Sequence, residues 1–332
     1  MIKVKVSFPN DADYLRQLPN RNSEWDGIQF FINDETDTVF DYWVIFGNLE
    51  NDKTFTLCDK TKTILVTTEP KNVHKYPKRF IDQFGYIITA QEEIVHPNKL
   101  LMPEGQLWFL KMDYDKLISL VPPKKDKKLS MLLSSKVNTK EHYERVSFAL
   151  KLKEHFGDLL DWYGSGIKPF ENKWDVLAPY KYSIVLESAS LPYYLSEKLS
   201  DAFLCYTYPF YFGCRRVEAY YDPRSYTKID LSSVDKTILS IETVLNSGDE
   251  HYTLSLPYIK QNREKYLKEL QFFANLKDVI KKIHNNQFPS KIENVVLEKD
   301  YLSIFEKVKN KFLHHKNPIS QKILINKIHK LI

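Results

Sequence analysis

Tyr194, Ser196, Glu197 and Lys198 stand at the start of an amphipathic stretch (YLSEKLSDAFLCY, residues 194–206), a few residues after the apolar run YSIVLES at 182–188. A serine at the head of a helix caps it and leaves backbone N–H groups of the first turn unpaired, and a lysine beside them adds positive charge. That combination suits a phosphate. The same Glu197 and Lys198 also fit an ordinary solvated pair in a first helical turn, so their place in the fold has to decide between the two readings.

The elements around them show where a ligand would lie and leave both readings open. In open α/β sheets, ligands bind beyond the carboxyl ends of the strands, where helix N-termini also point. With 182–188 as a buried strand, this rule selects 134–136, 164–166, 187–190 and the turn containing Tyr194, Ser196, Glu197 and Lys198. Strands are expected at 131–136, 159–166 (running into a turn), 182–188, 208–213 and 226–231, with helices at 140–156, 194–206 and 234–245. Such βα units with short connections build a doubly wound sheet. In the first third, the runs 2–8, 28–32, 42–46, 63–67 and 86–89 are rich in valine, isoleucine and aromatics and read as buried strands of a second α/β sheet. Between the two, VPPKKDKKLS from Val121 reads as a linker, because two prolines stop regular structure and the lysines favour water.

The chain of 332 residues is long enough for two cores of roughly 120 to 200 residues each. The expected domains are 1–122, 130–250 and a C-terminal region 251–332 made of a long charged helix (259–285) and a basic tail. Hydrophobic residues at 43%, charged residues at 27% and only 9 glycines describe a folded chain rather than a disordered or fibrous one. A net charge of +5 is too small at this size to indicate nucleic-acid binding. Cys58, Cys205 and Cys214 show no CxxC spacing and indicate neither a disulfide framework nor a zinc site. No uncharged apolar run approaches the ~20 residues of a membrane span, and MIKVKVSFPN reads as a strand rather than a leader, so a cytoplasmic location is expected.

Residues 180–230 (YKYSIVLESASLPYYLSEKLSDAFLCYTYPFYFGCRRVEAYYDPRSYTKID) resemble the signature region of glycosyltransferase family 10, the alpha-1,3/4-fucosyltransferases. The shared pattern is YKF, a strand ending in FEN, a YxTEK box, an alanine helix, and PxxxG before a YxPxSF turn. KEHYERVSFALKL (140–152) resembles the family's GHxxRxxF helix, and WDGIQFFIND and DYWVIFGNLE resemble its N-terminal strands. The likeness covers most of residues 20–250. It implies a GT-B fold, with two Rossmann-like domains facing a cleft and C-terminal helices, and inverting transfer of L-fucose from GDP-fucose to a hydroxyl of a glycan acceptor. An alpha-1,3 linkage on a surface polysaccharide or lipopolysaccharide is the expected product.

Carried over position by position, the resemblance makes Lys198 and Arg145 the cations on the donor diphosphate, whose negative charge grows as the glycosidic bond breaks. It places Glu197 on the nucleotide ribose, Tyr194 on the nucleotide, and Glu187 with Ser188 beside the donor sugar. The family asparagine of FEN is replaced by Ser188, and its phenylalanine by Leu186. These departures leave open another GDP-linked deoxysugar as donor, and a scaffold that binds glycan or nucleotide without catalysis is the rival from outside the enzymes. Inverting transfer needs a base, and FGYIITAQEEIVHPN (84–98) resembles the family segment that carries it; Glu92 is the expected base, Glu93 the alternate in register, and His96 a further possibility. Asp113-Tyr114-Asp115 forms a DxD triplet, but enzymes resembling this one need no DxD metal, and no metal is expected.

The tail from 301 onward places Tyr301, Ile304, Phe305, Val308 and Phe312, then Ile319, Ile323, Ile328 and Leu331, at helical spacing broken by Pro318. Seven lysines against Glu306 make the other face basic. Such a tail either lies on an anionic membrane or packs back on the protein.

Overall fold

The computed structural model describes residues 1–137, 139–285, 291–300 and 326–328. The tail expected at 301–332 therefore lies almost wholly outside the described residues. Two compact units emerge. The first holds Met1–Leu107, Met112–Ile118 and the described residues of 267–303; the second holds Trp108–Lys111, Ser119–Tyr266 and the described residues beyond 303.

The first unit begins with β1 (Ile2–Ser7), β2 (Glu24–Trp25), β3 (Ile28–Ile32), β4 (Tyr42–Phe46), β5 (Lys53–Cys58), β6 (Thr63–Val66), α1 (Lys78–Ile81), β7 (Tyr86–Thr89), β8 (Lys99–Leu101) and α2 (Tyr114–Ser119). Seven of these strands form a sheet in the order β2-β3-β1-β4-β6-β7-β8, parallel except for β2. Strands β4, β6 and β7 are apolar on both faces, as expected of parallel strands covered on two sides, whereas β1 turns Lys5 and Ser7 toward Trp43 on its second face. Val4, Val6, Tyr42, Val44, Ile64 and Val66 point to one face, and Trp43, Ile45, Leu65 and Ile87 to the other.

The second unit contains β9 (Lys127–Leu132), α3 (Lys140–Phe156), β10 (Leu160–Tyr163), α4 (Lys173–Leu177), β11 (Tyr180–Leu186), α5 (Glu197–Leu204), β12 (Tyr208–Phe212), β13 (Thr227–Lys228), α6 (Val234–Asn246) and α7 (Asp249–Lys265). Its sheet runs β10-β9-β11-β12-β13, all parallel. Strand order reverses between β9 and β11, because the chain steps outward to β10 and then returns to the other side. That reversal is where an open α/β sheet opens a crevice at its carboxyl edge.

Two expected elements fall elsewhere. The strand read at 131–136 is β9, four residues earlier. Its lysines look like linker, but Lys127 lies over the Tyr180 ring (5.1 Å) and donates to the Tyr180 hydroxyl (3.1 Å). Residues 133–136 are thereby left beyond the strand, at its carboxyl end. The long helix read at 259–285 is interrupted: α7 passes into a π-helical turn, Tyr266–Leu270, and the buried Gln271 caps α8 (Phe272–His284) by accepting from the Phe273 N–H at 2.9 Å.

This interruption changes the reading of the C-terminal region. Tyr252 and Ile259 of α7 are buried in the second unit, where the Tyr252 hydroxyl donates to the Tyr206 carbonyl (2.7 Å). Phe272, Phe273, Leu276 and Ile280 of α8 pack on one face of the first unit's sheet. Val295 and Leu297 of β14 (Glu293–Glu298), which pairs antiparallel with β5, join the core on the other face. Residues 251–300, read from sequence as part of one separate region, are thus divided at Tyr266 between two cores, and the apolar periodicity of α8 is what covers the first sheet. Both units are Rossmann-like, the fold class expected for GT-B.

Candidate active site

At the carboxyl end of β11, Glu187 turns its side chain inward and is 1% exposed. One oxygen accepts from the Ser196 N–H (3.0 Å) and from the Tyr211 hydroxyl (3.4 Å); the other accepts from the Ser196 hydroxyl at 2.5 Å. Burial pushes the Glu187 carboxyl up, opposed by Lys198, whose Nζ is 3.8 Å away. The buried acid therefore fastens the strand end to the start of α5. The fit needs glycine at 213, since a Cβ there meets Glu187 Cγ at 2.2 Å and the Tyr211 hydroxyl at 2.5 Å. Ser196 is the helix cap that its position suggested, accepting from the Lys198 N–H at 3.3 Å. Next to it, the Ser188 and Tyr194 hydroxyls lie 3.1 Å apart, with Tyr194 buried.

Three basic side chains gather at this corner. Lys198 Nζ lies 3.1 Å from Ser196 Oγ and 3.4 Å from Glu197 Oε1, with about a third of its side chain exposed. Arg145, from the second turn of α3, is buried and donates to the Leu186 carbonyl at 3.2 Å. Its Nε has no partner among the described residues, and burial lowers its pKa against the pull of Glu187, Tyr194 and Glu197. One turn earlier stands His142, whose Nδ1 is also buried without a partner. Burial, then Arg145, with smaller contributions from Lys136 and Lys198, depress it to about 4, so its ring is neutral near pH 7. Thr139 caps α3 by accepting from the His142 N–H (3.1 Å). The sequence reading did not single out His142, although it is the histidine of the segment likened to GHxxRxxF.

A second group was also missed. Lys173, at the start of α4, places Nζ 2.7 Å from Asp201 Oδ2 and 3.1 Å from Glu197 Oε1. Burial disfavours the Lys173 charge, but the two carboxylates outweigh it and hold its pKa well above the usual lysine value. For Glu197, burial raises the pKa, and the adjacent Lys198 and Lys173 outweigh it to leave the group far below the usual carboxylate range. Asp201 is pushed up to about 6, by burial first and by Glu197, against the pull of Lys173. Glu197 and Asp201 share one face of α5 at i,i+4 spacing, a signal available in the sequence. Nothing in the sequence links Lys173 to them; the turn of α4, capped by Asn172 at 3.1 Å from the Trp174 N–H, delivers it.

Beside these groups is a cavity of about 180 Å³ at the carboxyl ends of β9, β10 and β11, the reversal point of the sheet. Leu132, Leu133, Phe170 and Leu177 give it apolar walls, and Lys173, Glu197, Lys198 and Asp201 give it a charged side. It suits a flat, partly apolar ring with a polar, anionic extension.

The first unit holds the expected base. Glu92 and Glu93 occupy the turn after β7 and are exposed; the Glu92 carbonyl accepts from Lys99 Nζ (2.8 Å), and Glu93 pairs with Lys71 at 3.5 Å. His96 bonds through Nε2 to the Phe84 carbonyl (3.0 Å) and through Nδ1 to the Asn98 N–H (3.2 Å), which commits both ring nitrogens to shaping the loop. The turn is anchored from below by a residue that the sequence reading passed over. Glu104, 2% exposed, accepts from the Ala90 N–H and the Thr67 hydroxyl, each at 2.9 Å. Its Oε2 has no partner among the described residues, and burial, with a contribution from Glu69, pushes it up to about 7 against the hydrogen bonds of Ala90 and Thr67. In the DxD triplet, Asp113 accepts from Arg21 (3.1 Å) and Asp115 from the Asn20 N–H (2.8 Å). Among the described residues, no group of three or more histidines, cysteines or acids is placed to hold a metal ion, and no helix is long and apolar enough to cross a membrane.

No protein-family model matches the chain, and no curated protein matches it. It is similar in fold to a crystal structure of an alpha1,3-fucosyltransferase, at 17% identity and a TM-score of 0.53 over 87% of this chain and 91% of that one. Structures described as alpha1,3-fucosyltransferase with GDP (17% identity, TM-score 0.49, 82% and 92% covered) and with GDP-fucose (16%, 0.49, 87% and 92%) are also similar, at scores that add no argument. At this identity the likeness establishes the fold: a mixed α/β chain with two parallel sheets, of the GT-B type.

Proposed function

We propose that the chain is an inverting glycosyltransferase that moves L-fucose from GDP-fucose to a hydroxyl of a glycan acceptor, forming an alpha-1,3 linkage on a surface polysaccharide or lipopolysaccharide. The observation that carries this reading is the gathering of Arg145, His142 and Lys198 around the capped start of α5, at the carboxyl edge of a Rossmann-like sheet. A solved structure of the same fold, described as an alpha1,3-fucosyltransferase, supports the reaction class.

In this reading the diphosphate sits at the start of α5. Lys198 and Arg145 stabilise the charge that builds on GDP as its bond to the sugar breaks, and neutral His142 offers a hydrogen bond without adding charge. Glu197 accepts from the ribose, Tyr194 lines the nucleotide, and Glu187 with Ser188 borders the sugar. The acceptor oxygen attacks the anomeric carbon from the opposite face, Glu92 takes its proton, and GDP departs. Lys198, Arg145 and Glu92 thereby act on charge or proton movement that is greatest in the transition state, while the other residues hold the donor.

The test is nucleotide release from a panel of nucleotide sugars. GDP-fucose is expected to be turned over in preference to all others. Turnover of another GDP-linked deoxysugar instead supports the second reading, which the serine at 188 motivates, and release from none marks a scaffold. Glu92→Gln should keep donor binding and lose at least about a hundredfold in transfer. If Glu93→Gln has that effect instead, the register shifts by one; normal transfer by both variants places the base elsewhere.

A further inference from the structure

We propose that Lys173, anchored by Asp201, is a positioning residue that holds the Glu197 carboxylate as the acceptor for a ribose diol, making it a determinant of ribonucleotide over deoxyribonucleotide binding. The proposal rests on the nucleotide-sugar reading above.

Glu197 and Asp201 are like charges one helical turn apart, and they repel unless something lies between them. Lys173 does so, with Nζ 2.7 Å from Asp201 Oδ2 and 3.1 Å from Glu197 Oε1. The ammonium also lies 5.1 Å from the centre of the Phe109 ring, which closes its remaining side. The two acids differ in what they can still reach. Asp201 is sealed, 1% exposed at the side chain, with its second oxygen accepting from the Phe109 N–H at 3.3 Å. Both acids border the cavity, but Glu197 retains 18% exposure where Asp201 retains almost none. Asp201 is thus an anchor, Lys173 a strut, and Glu197 the group presented to a ligand.

Lys173 and Lys198 both donate to Oε1 of Glu197 (3.1 and 3.4 Å), and the lone pairs of Oε2 have room for the two O–H donors that a vicinal diol supplies and a 2′-deoxy sugar does not. A group held this way discriminates strongly, because the absent hydroxyl leaves a desolvated acceptor unpaired. A carboxylate able to swing toward water loses much of that selectivity. Burial opposes both shifts; the raised Lys173 pKa, owed to Asp201 first and Glu197 second, and the depressed Glu197 pKa, owed to Lys198 first and Lys173 second, agree with this arrangement.

The test compares GDP and 2′-deoxy-GDP by calorimetry on the full chain. The wild type should favour GDP by roughly ten- to a hundredfold. Lys173→Met should weaken GDP binding by a similar factor, leave 2′-deoxy-GDP within about threefold, and so collapse the ratio. Because this substitution leaves Asp201 buried without its partner, Lys173→Met with Asp201→Asn serves as the second variant, which buries no unpaired charge; it should show the same collapse with a melting temperature near that of the wild type. If Lys173 only supports the fold, both nucleotides weaken together and the ratio survives, which overturns the proposal while the nucleotide reading stands. A wild type that binds both equally overturns the proposal together with the assignment of Glu197 to the ribose.

Discussion

At the scale of single residues, the strand-edge rule and the family resemblance located Glu187, Ser188, Tyr194, Glu197, Lys198 and Arg145, and the structure brings all six around the start of α5. Only position in the chain was needed to see Ser196 as a cap, because a cap is a local property. Lys173 and Glu104 were illegible for the opposite reason: each reaches its partners through the tertiary fold, Lys173 being 24 and 28 residues from Glu197 and Asp201, and Glu104 37 and 14 residues from Thr67 and Ala90. Lys198→Ala and Arg145→Ala should each weaken GDP binding by roughly ten- to a hundredfold without loss of fold, the usual effect of removing a charge-assisted contact; unchanged affinity in both, measured by calorimetry, removes the diphosphate assignment. Glu104 gives a pH prediction. Its folded pKa of about 7 lies above the unfolded carboxylate value. Its contribution to stability is therefore fully present below the unfolded pKa of about 4.3 and lost as pH rises through about 7, to an amount on the order of 3 kcal/mol. Chemical denaturation between pH 4 and 8 should show this decline in the wild type and a smaller one in Glu104→Gln; parallel profiles would mean that the acid is not titrating there.

At the scale of elements, most strands were readable because parallel strands covered on both faces are nearly continuous apolar runs. The runs at 28–32, 42–46 and 86–89 fall on β3, β4 and β7. The reading failed where a strand opens on lysines, as β9 does, and where helical periodicity runs through a break, as at Tyr266–Leu270. Periodicity shows that a helix has an apolar face, and says nothing about which core receives it. The Phe272 and Phe273 rings of α8 settle this, at 5.5 and 6.2 Å from Phe8 of the first unit. Phe273→Ala should cost about 3 to 5 kcal/mol through the cavity it leaves, seen as an early calorimetric transition for the first unit. Loss confined to the second unit would contradict the assignment of α8. Gly213→Ala tests the close packing just past β12. Its methyl must displace Glu187 or Tyr211, and a cost of about 1 to 3 kcal/mol is expected.

At the scale of the molecule, the chain carries two Rossmann-like units, and the proposed donor site lies in the second. The unit's sheet reverses order between β9 and β11, the cavity opens at that reversal, and the capped helix α5 with its basic neighbours stands beside it. Backbone topology and side-chain chemistry thus select the same edge independently. The central claim is that a nucleoside diphosphate binds there, and a crystal structure of the full chain soaked with GDP tests it most directly. Diphosphate density is expected at the start of α5, within hydrogen-bond reach of Lys198 Nζ and the Arg145 guanidinium, with the base in the cavity walled by Leu132, Leu133, Phe170 and Leu177. A nucleotide seated elsewhere, or none bound at saturating GDP, contradicts it.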